Sequence, residues 1–374
     1  MGKLALLGDY TKIKTGKLDA NASSENGKYP FFTCSKIPLE IDSYSYDCEC
    51  VLVAGNGDLN VKYYEGKFDA YQRTYIIESL DKQKLDVKYL YYFLDMYVEQ
   101  LREMSIGGVI KYIKLGYLTE AQIPLPTMKE QREISDILDH ASTLIEKRKA
   151  QIAKLDLLIK SQFIAMFGDP VLNPIGWKMK RLKEIVKIKS SKRVYQRELT
   201  TEGIPFLRVS DLVSRITCDT DICDLYISDE LFDNFIANGL VPKANDILVT
   251  SRGTLGLCYI VKSTDRFYFQ DGMISWLKKQ EHDINSLYLA YLFQSDFIRK
   301  QIDQVSSGST VNYISLANLS DFKILFPPLD MQNRFAAFVT KVEKSKTKMQ
   351  QALAQQQLLY KSLMQKCISA NFSC

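Results

Sequence analysis

The chain has 374 residues, of which 46% are hydrophobic and 25% charged, and its formal net charge is +5. These values are typical of a globular protein with two or three domains, and so mild a positive charge indicates a polyanionic partner only weakly. No apolar run approaches the ~18 residues that a membrane-spanning helix needs, which excludes a membrane protein of that kind.

The N-terminus turns polar at Gly8-Asp9, too early for a secretory signal, and Leu6 stands where a myristoylation motif requires Ser or Thr. A cytoplasmic location is therefore expected. The eight cysteines include no Cys-x-x-Cys pair and there are only two histidines. Reduced thiols and no bound metal are the expectation.

Short segments of the first half recur in the same order in the second half. Residues 29–35 match 204–210 at an offset of 175, and residues 51–57 match 247–253 at 196. Residues 89–92 match 288–291 at 199, residues 112–115 match 313–316 at 201, and Gln131 matches Gln332. The sequence therefore predicts a tandem duplication, with loop insertions that shift the offset.

Each copy reads as a mixed α/β unit. β-Branched runs beside glycines predict strands at 51–53 and 247–250, and helical spacing predicts helices around 89–101 and 287–302. Prolines at 123–126 and 324–328 predict an extended exit from each unit, because proline disfavours the α conformation in the residue before it.

A long helix is predicted immediately after the first exit. Thr127 and Glu130 form a capping box, no proline or glycine follows before Met166, and Gly168-Asp169-Pro170 ends the helix. About 39 residues give roughly 58 Å of helix. Its apolar stripe alternates steps of four and three, as in a coiled coil, and Ile137, Leu144 and Leu158 are expected to widen it. The stripe residues are Ile134, Leu138, Ala141, Ile145, Arg148, Ile152, Leu155 and Ile159.

A second long helix is predicted from about Asp330, as N-cap, to about Ala370. Its stripe consists of Phe335, Val339, Val342, Lys346, Met349, Leu353, Gln356, Tyr360 and Leu363, and it matches the first from Ile134 with Phe335 to Ile159 with Tyr360. Two such stripes favour an antiparallel pair with the globular units at opposite ends, related by a pseudo-twofold axis. The alternative is that each helix covers only its own unit.

Catalytic motifs are not recognisable. The Gly-Lys pairs lack the context of a phosphate-binding loop, and two histidines provide no His-Glu-x-x-His or Ser-His-Asp set. Asn173-Pro174-Ile175 lacks the second proline and the aromatic residue of an adenine methyltransferase signature, and is interpreted as a linker turn.

This organisation resembles the specificity subunit (HsdS) of type I restriction-modification enzymes. The most specific features are residues 123–126 with Glu130-Gln131, residues 326–329 with Gln332, and the junction Phe167-Gly168-Asp169-Pro170 with Asn173-Pro174 and Gly176-Trp177. Met331 departs from the glutamate that is usual there. The resemblance implies an α+β fold with two mixed α/β target recognition domains and two long antiparallel coiled-coil helices. The expected boundaries are 1–126 and 169–328 for the domains, and 127–168 and 329–374 for the helical spacers.

The resemblance also implies a non-catalytic subunit that recognises a bipartite target in double-stranded DNA. The helices would space the two half-targets and dock two modification (methyltransferase) subunits, and restriction subunits would complete the endonuclease. S-adenosylmethionine is expected on the modification subunit, ATP and Mg on the restriction subunit, and no cofactor on this chain.

Candidate DNA contacts are polar residues in loops and lysines beside them, because polar side chains read base edges and cations bind phosphates. In the first domain they are Lys12, Lys14, Lys17, Ser35, Lys36, Asn56, Lys111 and Tyr112. In the second they are Lys189, Ser190, Lys192, Arg193, Arg208, Ser210, Asp211, Arg252, Thr254, Ser309, Thr310 and Asn312. Arg252 stands opposite Asn56 in the duplication, and these residue types suit guanine and adenine respectively.

Two other functions remain open from the sequence. An interaction scaffold with two protein- or glycan-binding heads would suit the 22 Tyr and 18 Phe residues. A self-sufficient nuclease or methyltransferase would need chemistry that the motifs do not provide.

Overall fold

A computed structural model describes residues 3–218, 223–279, 284–306 and 312–369. The chain forms two compact units: unit 1 comprises Met1–Ile152 and Lys348–Cys374, and unit 2 comprises Ala153–Thr347. Each unit thus contains a globular part and a segment of both long helices. The domain boundaries expected from the sequence stay a prediction.

Unit 1 begins with eight strands and three helices. In chain order they are β1 (Lys3–Leu6), α1 (Leu7–Tyr10), β2 (Thr11–Thr15), β3 (Tyr29–Phe32), β4 (Leu39–Ile41), β5 (Tyr46–Ala54), β6 (Val61–Ala70), β7 (Thr74–Ser79), α2 (Val87–Met104), α3 (Leu115–Thr119) and β8 (Gln122–Leu125). The helix α4 (Met128–Phe167) follows and continues into unit 2.

A six-stranded sheet forms the centre of unit 1, in the order β2-β7-β5-β6-β3-β4, while β1 pairs with β8. The strand β5 is buried on both faces. Val51 and Val53 join the cluster formed by α2, whereas Cys50 and Leu52 join the aromatic cluster on the other face. Burial on both sides explains why this strand has a continuous apolar run.

Unit 2 contains the remaining elements, of which the last continues into unit 1. They are β9 (Met179–Arg181), β10 (Val186–Lys189), β11 (Leu199–Thr200), β12 (Ile204–Leu207), α5 (Val209–Cys218), β13 (Tyr226–Ile227), α6 (Asp229–Ala237), β14 (Ile247–Thr250), β15 (Cys258–Ile260), β16 (Tyr268–Phe269), β17 (Ile274–Lys279), α7 (Ser286–Phe293), α8 (Asp296–Ser306), α9 (Leu316–Ser320), β18 (Lys323–Leu325) and α10 (Leu329–Ser369). Short 3-10 turns occupy Leu182–Glu184 and Gln196–Glu198.

The strand pairing of unit 2 repeats that of unit 1, which confirms the duplication. The order β10-β17-β14-β15 corresponds to β2-β7-β5-β6, and β9 pairs with β18 as β1 pairs with β8. The parallel pair β12–β16 corresponds to the parallel pair β3–β6. In unit 2, however, two short strands, β15 and β16, replace the single long β6, so the one six-stranded sheet becomes two four-stranded sheets.

Insertions in unit 2 explain the change in offset from 175 to 196. The added residues lie between β12 and β14, and this stretch contains α5 and α6. Unit 1 has only β4 and loops between the corresponding strands.

The structure corrects the sequence interpretation of residues 287–302, because two helices, α7 and α8, replace the expected single helix. The Ser295 hydroxyl donates to the Leu292 carbonyl (2.5 Å), which satisfies the end of α7 at the break.

The long helices start and stop close to the expected positions. The Thr127 backbone N–H donates to Glu130 Oε2 (2.8 Å), and the Glu130 N–H donates to Thr127 Oγ1 (3.3 Å), so the capping box is confirmed. The prediction that Asp330 is the N-cap of the second long helix is wrong. The helix α10 starts at Leu329 and its first turn bonds to the carbonyl of Pro328, so Asp330 lies inside the first turn.

Within each unit, a segment of α4 packs antiparallel against a segment of α10. In unit 2, Phe335 contacts Phe163 and Phe167, while Lys346, one turn after Val342, bonds to Asp156 (2.5 Å). In unit 1, Leu138 and Ile368 share one buried cluster, with Ile134, Tyr360 and Leu363 packed against it. The predicted antiparallel coiled coil therefore agrees with the packing of both units.

The stripe residues lie towards the partner helix to different degrees. Three stripe residues on each helix are buried, and the remaining stripe residues are half-buried. Leu138, Ile145, Ile159, Phe335, Val339 and Val342 are buried, and Ala141, Ile152, Leu155, Met349, Leu353 and Leu363 are half-buried. The expected widening of the stripe is wrong, because Ile137, Leu144 and Leu158 are exposed. A single partner helix covers only one narrow seam.

No helix in the described part of the chain has a stretch long and apolar enough to cross a membrane.

Candidate DNA interface

In unit 1, several loops meet at the end of the sheet beside the turn between β6 and β7. The Gly16 N–H donates to the Thr74 carbonyl (3.1 Å) and the Gly55 N–H to the Arg73 carbonyl (2.8 Å). A Cβ on Gly16 would lie 2.1 Å from the Ala70 oxygen, and one on Gly55 would lie 2.4 Å from the Arg73 oxygen. Glycine is therefore required at both places for the loops to approach the turn.

A further loop completes this group. Asn56 forms a backbone bridge with Tyr112, and the Gly57 N–H donates to the Lys111 carbonyl (2.9 Å). The structure thus brings together Asn56, Lys111 and Tyr112, which the sequence placed in separate loops. We call the exposed or half-exposed residues Lys17, Asn56, Arg73, Lys111 and Tyr112 the loop edge of unit 1.

Ser35 and Lys36 lie close to this edge. The Cys34 thiol donates to the Arg73 carbonyl (3.6 Å), and the Asn60 amide donates to the Cys34 carbonyl (2.8 Å). Ser35 is exposed. The Lys36 ammonium lies 3.1 Å from Asp58, and its hydrogen bond, followed by that of Arg102, lowers the pKa of Asp58.

Lys12 and Lys14 lie on the same strand but differ in their charge environment. Lys12 is exposed, and no carboxylate of the described residues lies within ion-pair distance of it. The Lys14 ammonium lies 2.5 Å from Glu78 and 4.8 Å from the Tyr46 ring centre. Burial opposes the charged form of Lys14, but the hydrogen bond and charge of Glu78 outweigh it and raise its pKa. Lys12 is thus the more available cation for a phosphate.

Unit 2 repeats the strand that carries these lysines. Ile13 pairs with Ile77 in β7, and Ile188 pairs with Leu277 in β17. Lys14 thus corresponds to Lys189, whose ammonium lies 5.7 Å from the Trp276 ring centre. The signal in the sequence was Lys-Ile-Lys at 12–14 and 187–189, at the same offset of 175 as the proline segment, and sequence reasoning missed it.

The corresponding loops of unit 2 meet in the same way. The Ser251 N–H donates to the Met273 carbonyl (2.9 Å), and Arg252 forms a backbone bridge with Tyr313. The Gly272 N–H donates to Ser190 Oγ (3.0 Å), and Arg193 Nε lies 3.0 Å from Asp271. We call Ser190, Arg193, Arg252, Met273 and Tyr313 the loop edge of unit 2.

The remaining candidates of unit 2 have mixed surroundings. The Lys192 N–H donates to the Tyr268 hydroxyl (2.8 Å), while its side chain is exposed. Thr254 and Asn312 are exposed, and the Thr254 carbonyl accepts from the Thr250 hydroxyl (2.5 Å). Ser309 and Thr310 lie outside the described residues.

Arg208 and Asp211 form a closed pair after β12. Asp211 Oδ2 accepts from Arg208 Nε (2.9 Å), Oδ1 accepts from Nη2 (3.1 Å), and Asp224 lies 3.3 Å from the same guanidinium. The hydrogen bond to Asp211 is the largest cause that raises the pKa of Arg208. Reading a base with Arg208 would require this pair to open, whereas the neighbouring Ser210 is exposed.

Sequence reasoning missed Arg73. It is exposed on the β6–β7 turn beside Asn56, and a turn residue without a counterpart in the matched segments gave no signal. Among the described residues, no group of three His, Cys, Asp or Glu side chains is arranged to hold a metal ion, and the absence of a metal stays a prediction.

Comparisons with known proteins assign the class. The family model described as "Type I restriction modification DNA specificity domain" matches residues 5–155 and again 174–357, one match to each half of the chain. The chain therefore belongs to the family of type I restriction-modification DNA specificity proteins. This confirms the predicted class, a DNA-recognition subunit without catalytic activity, in place of a scaffold or a self-sufficient enzyme.

Two relatives show how far the likeness extends. The EcoDI specificity subunit of Escherichia coli is 39% identical over 158 residues, which cover 42% of this chain and 35% of that protein. A putative specificity subunit of Haemophilus influenzae is 26% identical over 333 residues, which cover 85% of this chain and 81% of that protein.

Solved structures show the same fold. The S subunit of a type I restriction-modification system from M. genitalium has a TM-score of 0.63 at 17% identity, with 98% of this chain and 96% of that chain covered. A chain from a study of complex assembly and conformational transition of a type I system has a TM-score of 0.58 at 17% identity, with 98% and 97% covered. These likenesses confirm the predicted α+β architecture.

Proposed function

We propose that the chain selects the DNA target of a type I restriction-modification complex and that each unit reads one half of a bipartite sequence. The observation that carries this proposal is the duplication itself. Each unit forms a loop edge from the same three strands and the same bridge to a tyrosine, Tyr112 or Tyr313. Two copies of one reading surface suit two half-targets.

The chemistry of the loop edges supports contact with DNA. Exposed lysines such as Lys12 and Lys17 can bind phosphates, while Asn56, Arg252 and the exposed tyrosines can reach base edges. Lys14 and Arg208 are already engaged by Glu78 and Asp211. We therefore assign the direct contacts to Lys12 and to the free residues of the loop edges, and we give Lys14 and Arg208 a supporting role.

The long helices are proposed to set the spacing between the half-targets. Continuous helices of 40 and 41 residues are stiff enough for this purpose, since 40 residues give about 60 Å against about 34 Å for one turn of duplex.

The helices are also proposed to dock two modification subunits, with restriction subunits joining the complex. Large apolar side chains are exposed along them: Ile137, Leu144, Leu358 and Leu359 in unit 1, and Leu157, Leu158 and Ile164 in unit 2. Contiguous exposed apolar side chains are typical of protein interfaces. S-adenosylmethionine would be bound by the modification subunit, and ATP and Mg by the restriction subunit, in the cytoplasm.

Sequencing of methylated adenines tests the proposed function. The chain is co-expressed with the modification subunit of the same organism, and the methylated sites of the host DNA are determined. We expect one bipartite motif with a fixed gap. Methylation without the chain, or methylation that follows no sequence, would contradict the proposal.

A heptad inserted into both helices, after Ile152 and after Thr347, tests the spacing role. Seven residues add about 10 Å to a helix, so the gap should lengthen by at most about three base pairs while both half-targets stay the same. Insertion into α4 alone is the control, and we expect it to disrupt the helix pair. An unchanged gap in an active double insertion would refute the spacing role.

A further inference from the structure

Each loop edge carries one arginine that no carboxylate holds. In unit 1 it is Arg73, on the turn between β6 and β7, and in unit 2 it is Arg252, on the loop after β14. Both side chains are exposed, and no carboxylate of the described residues lies within ion-pair distance of either guanidinium. Arg252 Nη1 donates to the Met273 sulfur, at 3.7 Å.

The other arginines outside the two long helices are engaged. A carboxylate lies within 4.0 Å of the guanidinium in most of them, and Arg197 lies over the Tyr195 ring (5.5 Å). The carboxylate pairs are Arg102–Asp58, Arg181–Asp321, Arg193–Asp271, Arg208–Asp211, Arg215–Asp265, Arg266–Asp229 and Arg299–Asp303. The free arginines thus stand out at the place where each unit is proposed to meet DNA.

The two free arginines do not occupy equivalent positions. The carbonyl of Arg73 accepts from the Gly55 N–H, as that of Met273 accepts from the Ser251 N–H, so Arg73 corresponds to Met273. Asn56 and Arg252 each form the bridge to a tyrosine, so they correspond to one another. Unit 1 therefore has asparagine on the loop and arginine on the turn, whereas unit 2 has arginine on the loop and methionine on the turn.

These two positions lie next to one another in space. Gly55 and Arg73 are hydrogen-bonded neighbours, and Arg252 Nη1 reaches the side chain of the residue on the turn of unit 2. Both units thus have a guanidinium at the loop edge, which comes from the turn in unit 1 and from the loop in unit 2. The partner position holds a neutral side chain in both units.

At each loop edge, the combination of a free guanidinium and a neutral neighbouring side chain favours base reading over a phosphate contact. A free guanidinium presents two parallel donors that match O6 and N7 of guanine in the major groove. The neutral neighbours fit base edges as well: asparagine matches adenine, and an apolar side chain contacts the thymine methyl group. Lys12 of β2 and Lys17 of the loop after it are already available for phosphates.

We infer that Arg73 and Arg252 are the guanine-reading residues of the two units. Because they project from different segments of the same edge, the guanine stands at a different place in each half-target. This inference rests on the proposed function and names the specificity-determining side chains within it.

The test uses the chain assembled with the modification subunits of the same organism and a library of randomised duplexes, from which methylated molecules are sequenced. We expect Arg73→Met to lose the preference for one guanine in one half-target by roughly 5- to 150-fold. Arg252→Met should do the same in the other half-target only. The lysine variants R73K and R252K should keep most of the affinity but lose the same preference, because lysine lacks the fork of donors.

Arg266→Met is the matched control, since Arg266 is equally exposed but paired with Asp229 at 2.8 Å, and we expect it to leave both half-targets unchanged. An unchanged motif in the Arg73 and Arg252 variants would overturn the inference and leave the proposed function intact. Uniform weakening at all sequences would also overturn it, because it would identify a phosphate contact. A wild-type complex with no sequence preference would overturn the proposed function itself.

Discussion

Unit 1 and unit 2 keep the same buried hydrogen bonds where α2 or α7 meets the start of a long helix. Gln131 accepts from the Asp86 N–H (2.9 Å) and donates to the carbonyl of Pro126 (2.9 Å), and Gln332 accepts from the Asn285 N–H (2.9 Å) and donates to that of Pro327 (2.8 Å). The hydroxyls of Tyr89 and Tyr288 donate to the exit strands, to Pro124 and Leu325.

The loop edges differ far more than this buried frame. Unit 2 has Met273 where unit 1 has Arg73, and Arg252 where unit 1 has Asn56. Unit 2 also contains α5 and α6, which have no counterpart in unit 1. A buried polar group must find its partner, so its replacement is costly, whereas an exposed side chain on a loop can change without cost to the fold. The two units therefore share their buried hydrogen bonds, whereas the exposed residues of their loop edges differ.

The largest expected effect is a difference in stability between equivalent substitutions in the long helices of the two units. Phe335 is fully buried among Phe163, Phe167 and Tyr291, whereas its counterpart Ile134 is half-buried. We expect Phe335→Ala to lower the free energy of unfolding of unit 2 by about 3–5 kcal/mol, and Ile134→Ala to cost unit 1 less. Urea unfolding followed by the fluorescence of Trp177 and Trp276 measures the first, and hydrogen exchange measures the second. Equal losses would contradict the difference in burial.

The next effect concerns the shared glutamines. Gln131 also donates to the Lys84 carbonyl (2.9 Å), so its side chain satisfies three backbone groups, and the side chain of Gln332 satisfies two among the described residues. At about 1–3 kcal/mol for each buried group left without a partner, Gln131→Ala and Gln332→Ala should each destabilise their own unit. Hydrogen exchange of peptides from each unit resolves the two values, and the exposed Gln151→Ala is the control. A loss no larger than that of the control in either unit would contradict the role of these buried hydrogen bonds.

A smaller effect concerns the carboxylates that the long helices offer to each unit. Asp139 accepts from the Lys88 ammonium and the Tyr92 hydroxyl, both at 2.5 Å, whereas Glu343 accepts from Tyr291 at 3.3 Å. We expect Asp139→Asn to cost about 1 kcal/mol and Glu343→Gln less, by chemical denaturation.

The same carboxylate gives this loss a pH dependence. The hydrogen bond to Asp139 raises the pKa of Lys88, so its contribution is fully present below the unfolded pKa of about 10.4 and is lost as the pH rises through the folded value. The difference between wild type and Asp139→Asn should therefore be constant from about pH 7 to 9 and shrink above about pH 10. A difference that grows with pH would contradict the assignment.

The smallest effect compares two lysines of one strand. Lys12→Met should weaken DNA binding by the assembled complex equally at all sequences and reduce the salt slope by about one, because it removes one phosphate contact. Lys14→Met should leave the slope unchanged, since Glu78 already neutralises Lys14. Affinity titrations between low and physiological salt measure both. A reduced slope for Lys14→Met would show that its ion pair opens on DNA.

The family, the duplication and the long helices with their seam follow from the amino-acid sequence alone, because these depend on local patterns: matched segments, a capping box, prolines and a repeat of apolar residues. The sequence also predicted candidate DNA contacts in loops, such as Asn56 and Tyr112 in the first unit and Arg252 in the second, and their contact with DNA stays a prediction. The fold was needed to show which of these loops meet, because the hydrogen bonds that join them link residues far apart in the chain. It decided too which cations are free, since Glu78 lies opposite Lys14 only once the sheet has formed, and it revealed Arg73, which no local pattern marks.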